Sequence, residues 1–478
     1  MIDTPYPYVG AIWGSVETPD SGFILMHTSL NIFEDTNKIN IVKVNKNGQI
    51  LWTKSYGASG TAHDQLSIIR TNDSSYIFCG DQWKSDTTSA FLFKINGDGD
   101  SIWMKTYNPS QYFCFFETLI ETSDGGFLAT GGCDKDKPGG SNPFRQTYTI
   151  KTDSNGNLEW QLMQGSSATH ENSFGIVETP NHEYLQAGNV RNPYPDDFYV
   201  YSQLVKIKNN GQIAWVKNYS DPEYYQGFFD INQTLDGNYL ITGGYANDED
   251  VFPSDPYGGG GTLTKINENG NVLWFKRYGD EINDAECYDF VELPDSSIAT
   301  IGFSHQPDEN STMVKFSSAG EIKWTQTYKY NTAWEVSEGL FEIIHTKDNG
   351  FFMCGYGVSP VLIDPLSLGK GWILKVDSLG CPMPMCVTSA TEPTQEKNQA
   401  IIIYPNPFRN EFQIELPTEK KYNKINIYDV ARRLVFSLGL TINEYQITID
   451  GSKMDNGVYF IEFVSDDQRI SKKIIKIE

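Results

Sequence analysis

Lys265-Ile-Asn-Glu-Asn-Gly-Asn-Val-Leu-Trp-Phe-Lys-Arg-Tyr-Gly279 reads as two short strands around a polar turn. Asn and Gly accept positive φ at low cost, so Asn267 to Gly270 marks a tight hairpin. The frame Lys-x-x-x-x-Gly recurs seven times, at Lys43/Gly48, Lys94/Gly99, Lys151/Gly156, Lys206/Gly211, Lys265/Gly270, Lys315/Gly320 and Lys375/Gly380. In the first six copies Trp follows the Gly by four positions, at 52, 103, 160, 215, 274 and 324; the seventh has Pro384 there. The intervals between lysines run from 50 to 60 residues.

A second turn lies upstream of each lysine. It reads Pro19-Asp-Ser-Gly-Phe23, Ser123-Asp-Gly-Gly-Phe127 and Lys347-Asp-Asn-Gly-Phe351 in three of the copies. In copies two to seven another Gly follows that turn, at 80, 131, 188, 243, 302 and 355. Each unit therefore holds two hairpins, or four short strands, and no helical period. A four-stranded antiparallel unit at this spacing is the sequence signature of a propeller blade. The expectation is an all-β chain whose first part is a seven-bladed β-propeller. Six tryptophans in six equivalent contexts point to packing between neighbouring sheets rather than to a cofactor, and the repeated lysine to a strand-edge or inter-blade partner.

The extended pattern Lys-x-Asp/Asn-x-x-Gly-x-Ile/Leu/Val-x-Trp-x-Lys-x-Tyr-Gly resembles the propeller-like repeat of large secreted and surface proteins of Gram-negative bacteria, over residues 9 to about 381. That resemblance implies architecture, since such propellers carry many unrelated functions.

Composition narrows the partners. Of 478 residues 13% are aromatic and only 21% charged, the opposite of a disordered chain, and the formal net charge is −24. So acidic a surface repels nucleic acid and anionic lipid. No window of 18 uninterrupted apolar residues exists, so a spanning helix is not expected. Met1 to Gly10 lacks the basic start and apolar core of a secretory leader, which suggests either a cytosolic protein or one whose leader is missing from this sequence.

Three segments are expected: the propeller over 1–386, a polar linker over 387–399 and a small Ig-like β-sandwich over 400–478. The last segment carries equal numbers of acidic and basic side chains, so the negative charge belongs to the propeller. Tyr404-Pro-Asn-Pro-Phe408, Phe412-Gln-Ile414, Ile425-Asn-Ile-Tyr-Asp429, Gly457-Val-Tyr-Phe-Ile461 and Lys472-Lys-Ile-Ile-Lys476 occur in order within it. These blocks closely resemble the type A C-terminal sorting domain of the type IX secretion system, with Pro405, Asn406, Pro407, Gly457 and Tyr459 as motif positions. The resemblance implies a leader for the inner membrane, a dedicated translocon at the outer membrane and tail removal by a surface sortase. Release, or anchoring to lipopolysaccharide, follows.

Chemistry is sparsely signalled. No nucleophile elbow, zinc helix or phosphate loop occurs. In a propeller both tight hairpins of each blade lie on one face, so the long connections gather on the other, which is the default binding surface. Near it the inner strands begin at His63, Asp64, His170, Glu171, Glu286, Trp334 and Glu335, a mixture suited to binding a ligand at the channel mouth. Acidic loops at Asp134, Asp136, Asp248 and Asp250 are weak calcium candidates; no other cofactor is expected. Cys381 and Cys386, with four residues between them, could close as a disulfide. The favoured function is a non-catalytic module at the cell surface that binds glycan, peptide or another surface protein. The alternative is a secreted polysaccharide hydrolase or lyase acting at the channel mouth.

Overall fold

The computed structural model describes residues 12–29, 38–57, 62–84, 87–109, 113–134, 144–166, 169–191, 200–220, 225–246, 260–279, 287–304, 310–329, 338–357, 370–382, 401–416, 422–429, 433–440, 446–465 and 469–477. The chain divides into two compact units, Met1–Pro384 and Met385–Glu478. Every described regular element is a strand.

In the first unit consecutive strands pair as antiparallel meanders, one per sequence repeat. Blade 1 is Ile12–Glu17, Phe23–Ser29, Lys38–Val44 and Ile50–Tyr56. The inner strands of the next six blades are Ala62–Arg70, Phe113–Glu121, His170–Glu178, Tyr225–Gln233, Asp289–Glu292 and Glu338–His345. Each inner strand contacts the inner strand of the next blade, and that of blade 7 contacts that of blade 1. The seven blades form a closed ring. A single parallel bridge, Thr88 to Phe113, additionally links blades 2 and 3.

The hydrophobic cores lie between sheets. Ile24, Met26, Ile39 and Ile41 of blade 1 pack with Ile68, Phe78, Phe91 and Phe93 of blade 2. Phe23, Leu25 and Val42 of blade 1 pack with Phe352 and Cys354 of blade 7. A blade therefore buries its apolar side chains only when flanked on both sides, which is why the repeat must close or be capped.

The repeated motif is a clamp on the following blade. At Gly99, Gly156, Gly211, Gly270, Gly320 and Gly380 the turn of one blade lies directly against the Trp of the preceding one. A Cβ on Gly99 would come within 2.8 Å of Trp52, and one on Gly380 within 2.9 Å of Trp324. These glycines also have φ near +80°, as at Gly99 (82°) and Gly211 (81°). The motif tyrosine donates to the same turn, with Tyr107 Oη to Gly156 O at 2.8 Å, Tyr219 Oη to Gly270 O at 2.6 Å and Tyr328 Oη to Gly380 O at 2.6 Å. The repeated lysine pairs with a hairpin carboxylate: Lys94 with Asp73 at 2.8 Å, Lys151 with Asp124 at 2.9 Å, Lys265 with Asp236 at 2.6 Å.

Most of the fourth strand expected of blade 7 would lie outside the described residues. Among the described residues blade 7 has three, Glu338–His345, Phe351–Gly357 and Lys370–Val376, ending in a lone bridge from Val376 to Pro382. Pro384, the residue at the Trp position, lies outside the described residues.

The second unit is a sandwich of a three-stranded sheet and a four-stranded sheet. Phe412, Ile414, Ile447 and Ile449 from one and Ile425, Ile427, Ile461 and Phe463 from the other share a single core.

Candidate functional site

Six of the seven inner strands carry a one-residue β-bulge. Pairing with the second strand skips Trp13, Leu66, Glu117, Phe174, Phe229 and Phe341 in blades 1, 2, 3, 4, 5 and 7. In blade 6 the equivalent residue, Tyr288, lies just before the strand and donates its N–H to Ile301 O. The repeated Gly of the second strand makes the bulge possible. A Cβ at Gly188 would sit 2.0 Å from Asn172 O, at Gly243 2.0 Å from Gly227 O and at Gly355 1.8 Å from Gly339 O.

At five consecutive blades the residue at this position is aromatic, and its ring meets that of the next blade. Phe174 meets Phe229 (5.9 Å between centroids), Phe229 meets Tyr288 (5.7 Å), Tyr288 meets Phe341 (5.2 Å) and Phe341 stacks on Trp13 (5.1 Å). Tyr356 stacks on Phe341 from within blade 7 (5.4 Å). This arc spans blades 4 to 7 and blade 1, and Trp13 remains 38% exposed at its end. Across the ring, in blade 3, Arg145 lies over Phe115 (4.6 Å) and holds Asp134 through two bonds of 2.6 and 3.0 Å.

Residues following the bulges in blades 5, 6 and 7 are Asp230, Asp289 and Glu342, all half-buried. Asp289 Oδ2 accepts from Ile343 N of blade 7 at 2.8 Å, and Glu342 Oε2 accepts from Ser15 Oγ of blade 1 at 2.6 Å. Asn232 donates to Asp230 at 2.8 Å. Burial pushes Asp230 and Glu342 up to about 7, against the bonds from Ile231 N and Asn232 and from Ser15 and Cys354. Asp289 is held well above the carboxylate range by burial and then by the charges of Asp230 and Glu342. In blade 3 burial likewise raises Glu117, whose Oε1 accepts from Asn172 at 3.1 Å.

Of the positions anticipated from sequence, four lie on described inner strands. His63 and Asp64 lie on the inner strand of blade 2, paired with Gln82 and Asp81. His170 and Glu171 lie on that of blade 4, with blade 3 between the two pairs. Glu171 is buried and accepts from Thr169 at 2.8 Å, which turns it away from solvent. Glu286, Trp334 and Glu335 lie outside the described residues, as do the calcium candidates Asp136, Asp248 and Asp250. Asp134 is engaged by Arg145, as above. No group of three or more metal-ligating side chains occurs among the described residues. Cys381 is buried in the last turn of blade 7, and Cys386 lies outside the described residues. A disulfide not anticipated joins Cys114 and Cys133, directly opposed on neighbouring strands of blade 3.

One trio has the look of a catalytic site. Ser123 Oγ lies 2.7 Å from Glu178 Oε1 and 2.8 Å from His182 Nδ1. The repeat gives it another meaning. Glu178 accepts the Ser123 N–H at 2.6 Å; Glu121 accepts that of Asn72 at 2.7 Å, Glu292 that of Leu235 at 2.6 Å and Glu17 that of Lys347 at 3.3 Å. In the other three turns the corresponding residue is Pro19, Pro180 or Pro294, which has no N–H, and the next blade carries Arg70, Gln233 or His345 in place of Glu. The carboxylate is present wherever the turn has a proton to donate, so Glu178 is a blade-to-blade tie.

In the second unit the Pro-Asn-Pro-Phe block binds the final strand. Asn406 Nδ2 donates to Lys473 O (3.0 Å) and its Oδ1 accepts from Ile475 N (2.9 Å), while Phe408 is fully buried and bonded at both backbone groups to Ile475 and Ile477. Tyr459 Oη donates to Asp455 O at 2.8 Å. Beside this block lies a cavity of about 570 Å³ lined by Pro405, Pro407, Arg409, Asn410, Glu411 and Ile477. Residues 402–478 match the family described as the secretion system C-terminal sorting domain. They are a type IX sorting domain. The sorting domain marks the protein for secretion to the cell surface or beyond.

No curated protein matches the chain. Among solved structures it is similar to a protein of unknown function from Dyadobacter fermentans DSM 18053 (10% identity, 66% of this chain and 94% of that one, TM-score 0.43). It is similar to the GH93 α-L-arabinofuranosidase of Fusarium graminearum with arabinobiose (10% identity, 66% and 96%, TM-score 0.41). It is also similar to the β-propeller domain of the Trilobed protease from Pyrococcus furiosus (9% identity, 79% and 99%, TM-score 0.42). These scores carry no weight for function. No described helix is long and apolar enough to cross a membrane.

Proposed function

We propose that the propeller is a surface-displayed or released binding module, and that its ligand is a glycan engaged at the axis by the aromatic arc. The observation that carries this reading is the unbroken series Phe174, Phe229, Tyr288, Phe341 and Trp13 on five consecutive blades. Indole and phenyl faces stack on the apolar faces of sugar rings, and the exposed end at Trp13 gives the ligand a way in. The hydrolase alternative requires two carboxylates facing an open pocket. The neighbouring acids Asp289 and Glu342 are bonded instead to Ile343 N and Ser15 on the flanking blades, which favours binding over turnover.

The sorting domain supports a delivery route: a leader for the inner membrane, the type IX translocon, cleavage by a sortase within the linker at 387–399, then anchoring to lipopolysaccharide or release. Calcium enters this reading only through the loops at Asp136, Asp248 and Asp250.

The test is a glycan array probed with the full chain, with and without Ca²⁺, followed by titration of any hit against Trp13→Ala. Retained glycan and a tenfold or greater loss of affinity in the variant are expected, at unchanged secondary structure. A blank array, or a hit that Trp13→Ala binds equally well, overturns the axial site. Release of reducing ends from a retained glycan would establish the enzymatic alternative.

A further inference from the structure

The two outer faces of the sorting-domain sandwich differ in kind. Side chains alternate along a strand, so every second residue enters the shared core and its neighbours face out. On the three-stranded sheet the outward residues Glu411, Gln413, Gln446, Thr448 and Asp450 are all exposed, and all are polar. On the four-stranded sheet Ile427, Ile461 and Ile474 enter the core, so Tyr428, Phe460 and Ile475, next to them in the chain, lie on the opposite side. One cross-strand row runs Leu434, Tyr428, Phe460 and Lys473, each directly opposite the next, and Val458 stands opposite Ile475 beside it. Leu434 is 54% exposed and Phe460 42%.

Three of the five sorting blocks, 425–429, 457–461 and 472–476, lie on three strands of this sheet, Lys424–Asp429, Gly457–Val464 and Arg469–Lys476. The core accounts for the inward half of each block. It asks nothing apolar of the outward half, and an apolar row left in water across four strands marks a contact surface. The charges on this face are uneven. Glu462 Oε2 accepts from Tyr428 Oη at 3.3 Å and from Asn426 Nδ2 at 3.4 Å, and Ser437 Oγ donates to Asn426 Oδ1 at 2.8 Å. The carboxylate is thus bonded within the sheet, while alternation places two cations, Lys424 and Lys473, on the same face as the row.

We infer that this face is the surface by which the sorting domain is read, and that its occupant is a protein of the type IX export machinery presenting an apolar strip bordered by carboxylates. The inference deepens the sorting assignment and rests on it. Apolar contact with Leu434, Tyr428 and Phe460 supplies the affinity, and carboxylates against Lys424 and Lys473 set the register. Charge disfavours a second copy as the occupant. Face-to-face pairing brings the lysines of both copies together while each Glu462 is already bonded within its own sheet. Two lysines also fall short of the cluster of about four to eight basic residues that holds an anionic lipid surface.

Two measurements on the full chain, expressed behind a cleavable leader in a bacterium with a working type IX system, test this. The first is the amount reaching the surface or the medium. Leu434→Glu and Phe460→Glu, which set a negative charge against the partner's carboxylates, should each lower export about tenfold or more, whereas Thr448→Glu on the polar face exports as the wild type does. Normal export of both row variants, or an equal loss in all three, overturns the inference. A wild type that stays inside the cell overturns the sorting assignment itself. The second uses a photoreactive benzophenone amino acid at position 460, which keeps an aromatic ring there and decides the matter if either row variant has a lowered urea midpoint. Irradiation of the cells should join the chain to a protein that mass spectrometry identifies as an export component. Cross-links only to lipid, to a second copy or to the chain's own propeller contradict the proposal.

Discussion

Gly188 shows how one missing atom shapes the axis. Its second-strand position faces the Asn172 carbonyl across the bulge, with space for a hydrogen only. Gly188→Ala is expected to cost about 1 to 3 kcal/mol by forcing that bulge apart, read as a lower urea midpoint at constant slope. Cys114–Cys133 closes a hairpin of sequence separation 19, so Cys114→Ser should lose roughly 3 kcal/mol, and reductant should remove the same increment from the wild type. The repeated Gly was visible in the sequence, but its reason was not, because a bulge is a property of two paired strands. The cysteine pair was hidden for a related reason: register, not proximity along the chain, sets Cys133 opposite Cys114. Asp230, Asp289 and Glu342 were hidden by variation, since the same position holds Gly14, Ser67, Thr118 and Gly175 in the other blades.

At the scale of the blade, the two halves of the repeat do separate jobs. The Trp-x-Lys-x-Tyr strand grips the next blade's turn at the outer rim, and the inner-strand Glu ties back to the preceding blade's hairpin. Trp160 packs on Gly211 and donates its indole N–H to Asn209 O at 2.9 Å, so Trp160→Ala should cost about 2 to 4 kcal/mol, measured by thermal or urea unfolding. Glu178→Ala leaves the Ser123 N–H without its acceptor and is expected to cost about 1 to 2 kcal/mol; Gln233→Ala, which faces Pro180, should cost far less. The turn aspartates set the acid limit. Burial raises Asp124, but Thr122, Lys151 and Gly126 N outweigh it and hold it at about 2; Asp348 is held at about 2 by the same opposition, with Lys375 and Thr346 prevailing. Their contribution is present above about pH 4 and is lost as pH falls toward 2, which circular dichroism across an acid titration will show as a loss of folded signal. The four-strand unit and the packing role of the Trp were legible from spacing; the lysine, expected at a strand edge or between blades, pairs instead with a turn aspartate of its own blade in Lys94–Asp73, Lys151–Asp124 and Lys265–Asp236. Blade 7 reads as a full copy because its Lys375/Gly380 frame is intact; its outer strand would begin at Pro382, bridged to Val376, and run on outside the described residues.

For the whole molecule, closure brings the inner strands of all seven repeats together. Seven inner strands form one ring, and five of the blades bring aromatic rings into a continuous arc that no single blade possesses. The sorting domain marks that surface for the outside of the cell. The central claim is that blade 7 returns to blade 1, and a photoreactive benzophenone amino acid at position 13 addresses it directly, because Trp13 is part-exposed and lies 5.1 Å from Phe341. Irradiation of the monomer followed by peptide mass spectrometry should yield an intramolecular cross-link from residue 13 to the strand Glu338–His345. A cross-link formed only to neighbours in blades 1 and 2, or only between two molecules, would contradict a closed seven-bladed ring.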